Sequence, residues 1–530
     1  MSSDHSKNRF ITNAYRWILK YGIPLFALAV ISLNVSLIFD NVVWGDEAFS
    51  GNIIRGVGFA GIYQKVYYWD SHPPLYYFYL RIWTWVLGDH TWVLHLASVV
   101  PFAGGVVLAL TYIRKKVGTI PAAFYLLITG LSATCAEYNQ EIRMYNLCFL
   151  FILFAAYFSY RLIEKPRAFF FWAGLVLSGV AAAYTHYYGL VTSGLLLFVT
   201  GVAVFVKNKG KSWLLGVGGI AAYLLLYAPW LRVLFLQIMY VEGSWWMDHP
   251  DGPMLLIDFV FGGGHIKYIF LAFVVLVSIA AVAVEVLDAK KERKGLSEEV
   301  TAMCIFWATI ALTVTFAYVA SAVFKPILVN RYMHPIIPLV LFAMMAAIAR
   351  TIRWGAEGGS EELLKDEEAG DATAKEVPRL ETELKAVKCK RGRIVVIALA
   401  VAWFVLLVPA LLDFKYYRSV SRSENLYTEQ TLALVGEPSE DVIFTSLGVQ
   451  HLAWTVLQYY YPDNEVYNLD PTQLEDEPDE IWAFMGYEMS EENLGIMKAR
   501  GYKYSYYPNG NVAKYPCRLY HFTKTGNLEE

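Results

Sequence analysis

Directly after the first long apolar run the chain reads "WGDEAFS" and then "DSHPPLYY", placing Asp46 beside Glu47 and Asp70 two residues before His72. Adjacent acids push their pKa values apart, so that one stays a base while the other holds a proton or orients a substrate. Three later stretches carry similar chemistry. "QEIRMYNL" holds Glu141, Arg143 and Tyr145, "THYYG" holds His186 and Tyr187, and "KPILVNRYMHP" holds Lys325, Arg331 and Tyr332. A guanidinium at a membrane boundary suits a phosphate, through bidentate charge-assisted bonds. Acids bracketed by tyrosine and tryptophan suit a sugar, whose apolar face stacks on rings while its hydroxyls bond carboxylates. Each feature also has a plainer reading. Glu47 complements a helix dipole, the proline pair fixes a loop direction, and the arginines snorkel to lipid headgroups. Glu141 and Arg143 then form an ion pair in a cavity wall, and His186 caps a helix. Asp70, His72 and His265 lack the spacing of a tight ligand set, so a divalent metal stays open and no other cofactor is indicated.

The elements that must position these residues are membrane spans. The 530-residue chain is 56% hydrophobic and 17% charged, with a mean hydropathy of +0.39, which points to a polytopic membrane protein. At ~20 residues per span, runs near 19–39, 91–113, 119–136, 144–163, 168–185, 187–206, 213–235, 266–287, 300–323, 334–352 and 394–412 are long enough to cross. Basic clusters alternate between them: Arg114 to Lys116, Arg161 to Arg167, Lys207 to Lys211, Lys290 to Lys294, and the residues around Arg350 and Arg393. Positive residues favour the cytoplasm. The N-terminus and these loops are therefore expected inside, and the region after Leu412 outside. All the polar motifs above then share the outer face, together with "VEGSWWMDHPDGP" and "GGGHIKY". The start is too polar, and the first apolar run too long, for a cleaved signal peptide.

The five cysteines show no CxxC spacing, which argues against a disulfide framework or a zinc site. The net charge of -3 and the scattered basic clusters give no footing to nucleic acid. Residues 1–355 read as a transmembrane module, 356–393 as a charged cytoplasmic linker, 394–412 as the last span, and 413–530 as a soluble domain. In that domain "DVIFTSLG" and "DEIWAFMGY" read as buried strands. "VQHLAWTVLQYYYPD" and "SEENLGIMKARGY" have helical periodicity, and "GYKYSYYPNG" reads as a strand ending in a turn. Strands alternating with helices predict a small α/β layer. It contains no GxGxxG, and no catalysis is assigned to it.

"WGDEAFS", "DSHPPLYY", "QEIRMYNL", "THYYG", "YAPWLRVLFLQ" and "NRYMHPIIP" follow one another in an order that resembles membrane glycosyltransferases of the GT-C fold. The resemblance is to the bacterial relatives of protein O-mannosyltransferases (glycosyltransferase family 39), with the lipid A aminoarabinose transferases as cousins. No single motif is specific; their order, spacing and common sidedness are. The C-terminal domain matches less well.

The apolar runs give an α-helical polytopic membrane protein of about eleven spans, and the resemblance implies the GT-C fold and transfer of a sugar from a polyprenyl-phosphate carrier. It further implies inversion at the anomeric carbon in one displacement, which needs a carboxylate base and positive charge beside the departing phosphate. Asp46 takes the position of the family's first external acid and is the candidate base, with Glu47 tuning it or orienting substrate. Asp70 and His72 fall in the family's second loop motif. Arg331 is the first candidate for the donor phosphate, with Arg143 and Lys325 behind it. Glu141, Tyr145, His186, Tyr187 and Tyr332 line the substrate cavity. The expected partners are the lipid-linked donor, membrane lipids and a glycan, lipid or protein acceptor. The competing classes are a lipid-linked sugar flippase, which tends to carry inverted repeats and mid-depth charges, and a noncatalytic scaffold for envelope assembly.

Overall fold

The computed structural model describes residues 13, 15–208, 213–240, 266–292, 295–324, 326–357, 378–450 and 452–524. The candidate residues Lys325 and His265, most of the "VEGSWWMDHPDGP" and "GGGHIKY" stretches, and the linker over 358–377 lie outside them.

Among the described residues nine helices are long and apolar enough to cross a membrane, and a bent pair makes a tenth. That pair, Thr119–Leu131 and Ala133–Gln140, turns through 66° at Ser132, whose side chain caps the second helix by accepting from the Cys135 amide at 3.2 Å. The eleventh expected position is occupied by the apolar helix Phe169–Thr185, 17 residues long. The chain is therefore a multi-pass membrane protein. Its centre is the helix Ile337–Ala356, buried around nearly its whole circumference. Runs of alanine there (Ala343, Ala346, Ala347, Ala349) let the helices Glu298–Val323 and Tyr145–Glu164 approach closely.

Between the first two spans the chain forms three non-spanning helices, Gly45–Ile54, Phe59–Trp69 and Leu75–Leu87. They hold the first two acidic motifs at one end of the bundle. Several of the described basic residues pair with acids at the other end. There Arg379 and Arg353 pair with the buried Glu299 at 2.7 and 3.1 Å, and Arg161 with Glu164 at 3.0 Å. The part of the expected linker that is described is a helix, Pro378–Lys388. It packs against both the central helix and the helix that starts at Lys390, with Leu384, Ala386 and Val387 buried, while its Glu383 accepts from the Ile120 amide at 2.9 Å.

The last span does not end at Leu412. One helix runs from Lys390 to Val435, 46 residues or about 69 Å at 1.5 Å per residue, against a hydrocarbon core of about 30 Å. It crosses the membrane and carries on into the soluble domain, so the expected boundary at 412–413 falls inside a continuous helix. Nothing in "DFKYYRSVSRSENLYTEQTLALV" breaks a helix, and Gly436, at φ 70, supplies the terminating residue. The soluble domain is an α/β layer with sheet order β2-β1-β3-β5-β4: β1 Ile443–Leu447, β2 Val466–Tyr467, β3 Glu480–Met485, β4 Tyr502–Val512 and β5 Tyr515–Lys524. β1 pairs in parallel with β2 and β3, whereas β5 runs antiparallel to β3 and β4. Helices Ala453–Tyr460 and Glu491–Ala499 complete the layer. Strand β4 runs on past the expected turn at Pro508–Gly510 as far as Val512.

Candidate active site

The helix Gly45–Ile54 starts with two carboxylates because its first turn leaves backbone N–H groups to be satisfied. Glu47 does this work: one of its oxygens accepts from the Trp44 amide at 3.0 Å and the other from the Ile142 amide at 2.8 Å. Glu47 thus ties the first polar loop to "QEIRMY", and it is buried. Burial raises its pKa above the ordinary carboxylate value, against the pull of His95, Lys514 and the two amides. The neighbouring Asp46 side chain points elsewhere. Its Oδ2 lies 3.1 Å from a guanidinium nitrogen of Arg331, on the 3-10 turn Asn330–Ile336 that opens the central helix. Both members of this pair keep partial contact with solvent, 15% for Asp46 and 22% for Arg331.

Arg143 is buried behind this pair. It donates to the backbone oxygen of Asp46 at 3.3 Å and to the Ser50 hydroxyl at 3.2 Å, while the Ser50 hydroxyl itself donates to the Asp46 oxygen at 3.0 Å. These bonds fix the backbone that carries the Asp46 carboxylate; they do not run to Glu141. Glu141 is buried too, and burial, followed by repulsion from Glu47 and Glu137, pushes its pKa well above the usual carboxylate range.

The second loop is a closed network. Asp70 accepts from the Ser71 amide at 2.7 Å, pairs with His72 Nδ1 at 2.9 Å and accepts from the Tyr77 hydroxyl at 2.5 Å. Burial alone would raise the Asp70 pKa, but His72, Arg143 and Tyr77 together bring it below the ordinary value. Its backbone oxygen accepts from Gln237 at 2.8 Å, and Gln237 in turn is held by the Tyr187 hydroxyl, which accepts from the Trp230 indole at 3.2 Å. Tyr187 therefore acts on the loop through Gln237.

His72, His186 and Tyr332 form an aromatic wall. The His186 ring centre is 5.5 Å from that of His72, 5.1 Å from Tyr332 and 5.6 Å from Tyr145. His186 Nδ1 accepts from the Tyr188 amide at 3.1 Å. Burial, followed by the neighbouring His72, Arg143 and Arg331, keeps its imidazole well below its ordinary pKa and so neutral, with Nε2 as donor. The structure thus brings Asp46, Arg143, Tyr145, His186, Arg331 and Tyr332 together, with Glu141 and His72 at the edges. The Tyr145 hydroxyl, Glu141 Oε2 and Arg143 Nε are buried without a hydrogen-bond partner among the described residues. Buried polar atoms are normally satisfied, so these three leave bonds for ordered water or a ligand to make. Asp70 and His72 bond each other, and among the described residues no three His, Cys, Asp or Glu side chains converge as a metal site would require.

Sequence reading missed two residues of this recess, Trp44 and Lys514. Arg331 lies 5.6 Å from the Trp44 ring centre and the Lys514 ammonium lies 5.8 Å from it. Lys514 comes from the turn between β4 and β5, where Ala513 adopts the left-handed φ of 57°. Thr428, on the long last helix, secures that turn by donating to the Ala513 oxygen at 2.8 Å. Lys514 is exposed, although protein stands close to it on several sides. Burial would lower its pKa, but Glu137, Glu47, Glu424 and Glu141 outweigh that and raise it. The only hint in the sequence is a lone basic residue in "NGNVAKYP".

Below the second loop lies an apolar cavity of about 420 Å³, lined by Tyr63, Pro74, Phe78, Leu177, Tyr184 and Trp230 among others. Trp230 connects it to the Tyr187–Gln237–Asp70 chain just described.

No family model and no curated protein matches the chain. Its fold is similar to the crystal structure of ArnT from Cupriavidus metallidurans in the apo state, at 15% identity and a TM-score of 0.58, covering 96% of this chain and 98% of that one. The crystal structure of ArnT from the same organism bound to undecaprenyl phosphate gives 13% identity, a TM-score of 0.58, and coverage of 95% and 98%. The likeness runs over nearly the whole of both chains, soluble domain included, and the membrane fold of this chain is the GT-C fold.

Proposed function

We propose that this protein is an inverting glycosyltransferase that moves a sugar from a polyprenyl-phosphate carrier to an extracytoplasmic acceptor. The observation that carries the reading is the Asp46–Arg331 pair, a carboxylate fit to be a base 3.1 Å from a guanidinium fit to hold a phosphate, in one water-accessible recess. In the reaction the acceptor oxygen bonds to the anomeric carbon, the bond from that carbon to the phosphate oxygen breaks, and Asp46 takes the acceptor proton. Polyprenyl phosphate leaves with its added negative charge beside Arg331.

The pairing adds a step. While Arg331 holds Asp46, the carboxylate is engaged by the guanidinium and not by an acceptor hydroxyl. A donor phosphodiester, an anion whose geometry suits the guanidinium fork, competes for Arg331 and leaves Asp46 free to accept a proton. The neutral His186, Tyr145 and Tyr332 supply ring faces and donors for a sugar, and the unpartnered Glu141 Oε2 stands beside them. The apolar cavity gives the first isoprene units of the carrier a seat beside the polar recess. ArnT, whose fold this chain shares, has been crystallised with undecaprenyl phosphate, which favours a carrier of that class.

In this reading the end of the bundle with the recess and the soluble domain faces outward, the N-terminus is cytoplasmic, and the basic clusters lie inside. A C-terminal tag reached by impermeant label in intact cells tests that orientation. The activity is tested by incubating the purified protein in lipid nanodiscs with a panel of polyprenyl-phosphate sugars. Release of polyprenyl phosphate from one donor supports the assignment, and failure to bind or consume any of them refutes it.

A further inference from the structure

The ten-residue helix Gly45–Ile54 is too short to be stable alone; isolated helices below ~12–15 residues are marginal in water. Its most extensive packing partner among the described elements is the helix Ala453–Tyr460 of the soluble domain. The approach is close. A Cβ on Gly45 would lie 2.3 Å from Leu452 Cβ, and one on Gly51 would lie 2.6 Å from the Tyr459 ring. Polar contacts fix the register. Asn52 donates to the Thr455 oxygen at 3.1 Å, Arg55 donates to the Tyr459 oxygen at 2.9 Å, and the Arg55 guanidinium sits 4.8 Å from the Tyr459 ring centre. The buried Tyr459 completes the joint through its hydroxyl, 3.0 Å from that of Thr91 at the start of the next membrane helix.

We infer that the soluble domain is a working part of the catalytic centre, in which Tyr459 and Arg55 act as positioning residues that hold the Asp46 helix against the membrane module. This rests on the proposed role of Asp46 and goes beyond it, because the assigned task is alignment of the base. The domain grips the helix at both ends: Leu452 meets Gly45 beside the acid, and Tyr459 meets Gly51 about 1.7 turns later. The hairpin bearing Lys514 approaches the same helix start from the other side, over Trp44. A misplacement of about 1 Å in a reacting group costs up to about a hundredfold in rate, so a joint of this kind governs turnover without touching substrate.

The test uses the full chain in nanodiscs, with Tyr459→Ala and Tyr459→Phe. Hydrogen exchange of the 44–55 segment is read against the 337–356 helix as internal control. Binding of undecaprenyl phosphate and release of polyprenyl phosphate from a consumed donor are measured alongside. In Tyr459→Ala the 44–55 segment is expected to exchange at least about tenfold faster. The control helix stays unchanged, undecaprenyl phosphate affinity stays within about threefold, and turnover falls about tenfold or more. Tyr459→Phe loses the bond to Thr91 but keeps the ring against Gly51 and Arg55, and recovers most of the protection and turnover. Unchanged exchange in Tyr459→Ala overturns the inference, as does equal loss of protection in the control helix, or normal turnover despite a loosened helix. If wild type consumes no donor, the transferase reading fails, while the exchange result still decides whether the joint exists.

Discussion

Asp46 Oδ2 and the Arg331 guanidinium stand 3.1 Å apart, joining the first helix after the first span to the turn that opens the central helix. The proposed proton acceptor and the proposed phosphate ligand, from distant parts of the chain, thus meet in one ion pair. The pair is partly open to solvent, so its own contribution to stability is small, in the range of ~0–1 kcal/mol for such pairs. Its worth lies in what each partner does when a substrate separates them.

Replacing Arg331 therefore acts on the donor first. Arg331→Lys keeps the charge but loses the planar fork, and Arg331→Ala loses both. Undecaprenyl phosphate affinity is expected to fall modestly in the first and by about tenfold or more in the second, as for a charge-assisted bond worth ~1.5–3 kcal/mol. Titration of the purified variants with undecaprenyl phosphate checks this. Wild-type affinity in both would move the phosphate site elsewhere, with Arg143 next in line.

Much of this arrangement was legible in the sequence, and what was not has physical causes. Apolar runs and basic loops locate the spans, because bilayer thickness and charge sorting act on composition alone. The polar motifs stand at helix ends, which is where a recess could form. The partner of each motif was hidden. The choice of Arg331 for Asp46, and of an amide 95 positions away for Glu47, depends on packing. Gln237 read as one polar residue in an apolar helix, yet it holds the Asp70 loop. The extension of the last helix beyond Leu412 was readable from the lack of any Pro or Gly between Asp413 and Gly436, but falling hydropathy masked it. Lys514 was out of reach, because strained turns at hairpin tips are fixed by tertiary contacts such as that of Thr428 with Ala513.

Glu47→Gln separates a structural acid from a catalytic one. The amide keeps one acceptor and turns the other toward a backbone N–H, so one of the two bonds to Trp44 and Ile142 is lost. The expected cost is ~1–3 kcal/mol, seen as a lower thermal midpoint of the purified protein, with residual turnover in the fraction that stays folded. An unchanged midpoint together with abolished turnover would assign Glu47 to the chemistry instead.

Asp70 predicts a pH effect. Its pKa is lower in the folded protein than in the unfolded chain, so the unfolded chain takes up its proton first as pH falls. The stability it contributes is complete above the ordinary aspartate range and is lost as pH drops through that range toward the folded value. Thermal midpoints between about pH 6 and 3 are expected to fall more steeply for wild type than for Asp70→Asn, which has no proton to bind there. Parallel curves would contradict the Asp70–His72–Tyr77 network as a source of acid sensitivity.

The most direct measurement is turnover by Asp46→Asn with a donor that wild type consumes, with undecaprenyl phosphate affinity determined on the same preparation. Asparagine keeps the size of the side chain and one acceptor oxygen but cannot take the acceptor proton. The account predicts a fall in sugar transfer of ~10²–10⁴-fold, with affinity for undecaprenyl phosphate retained or slightly raised because Arg331 no longer has an anionic rival. Transfer near the wild-type rate by a folded, donor-binding Asp46→Asn protein would contradict it.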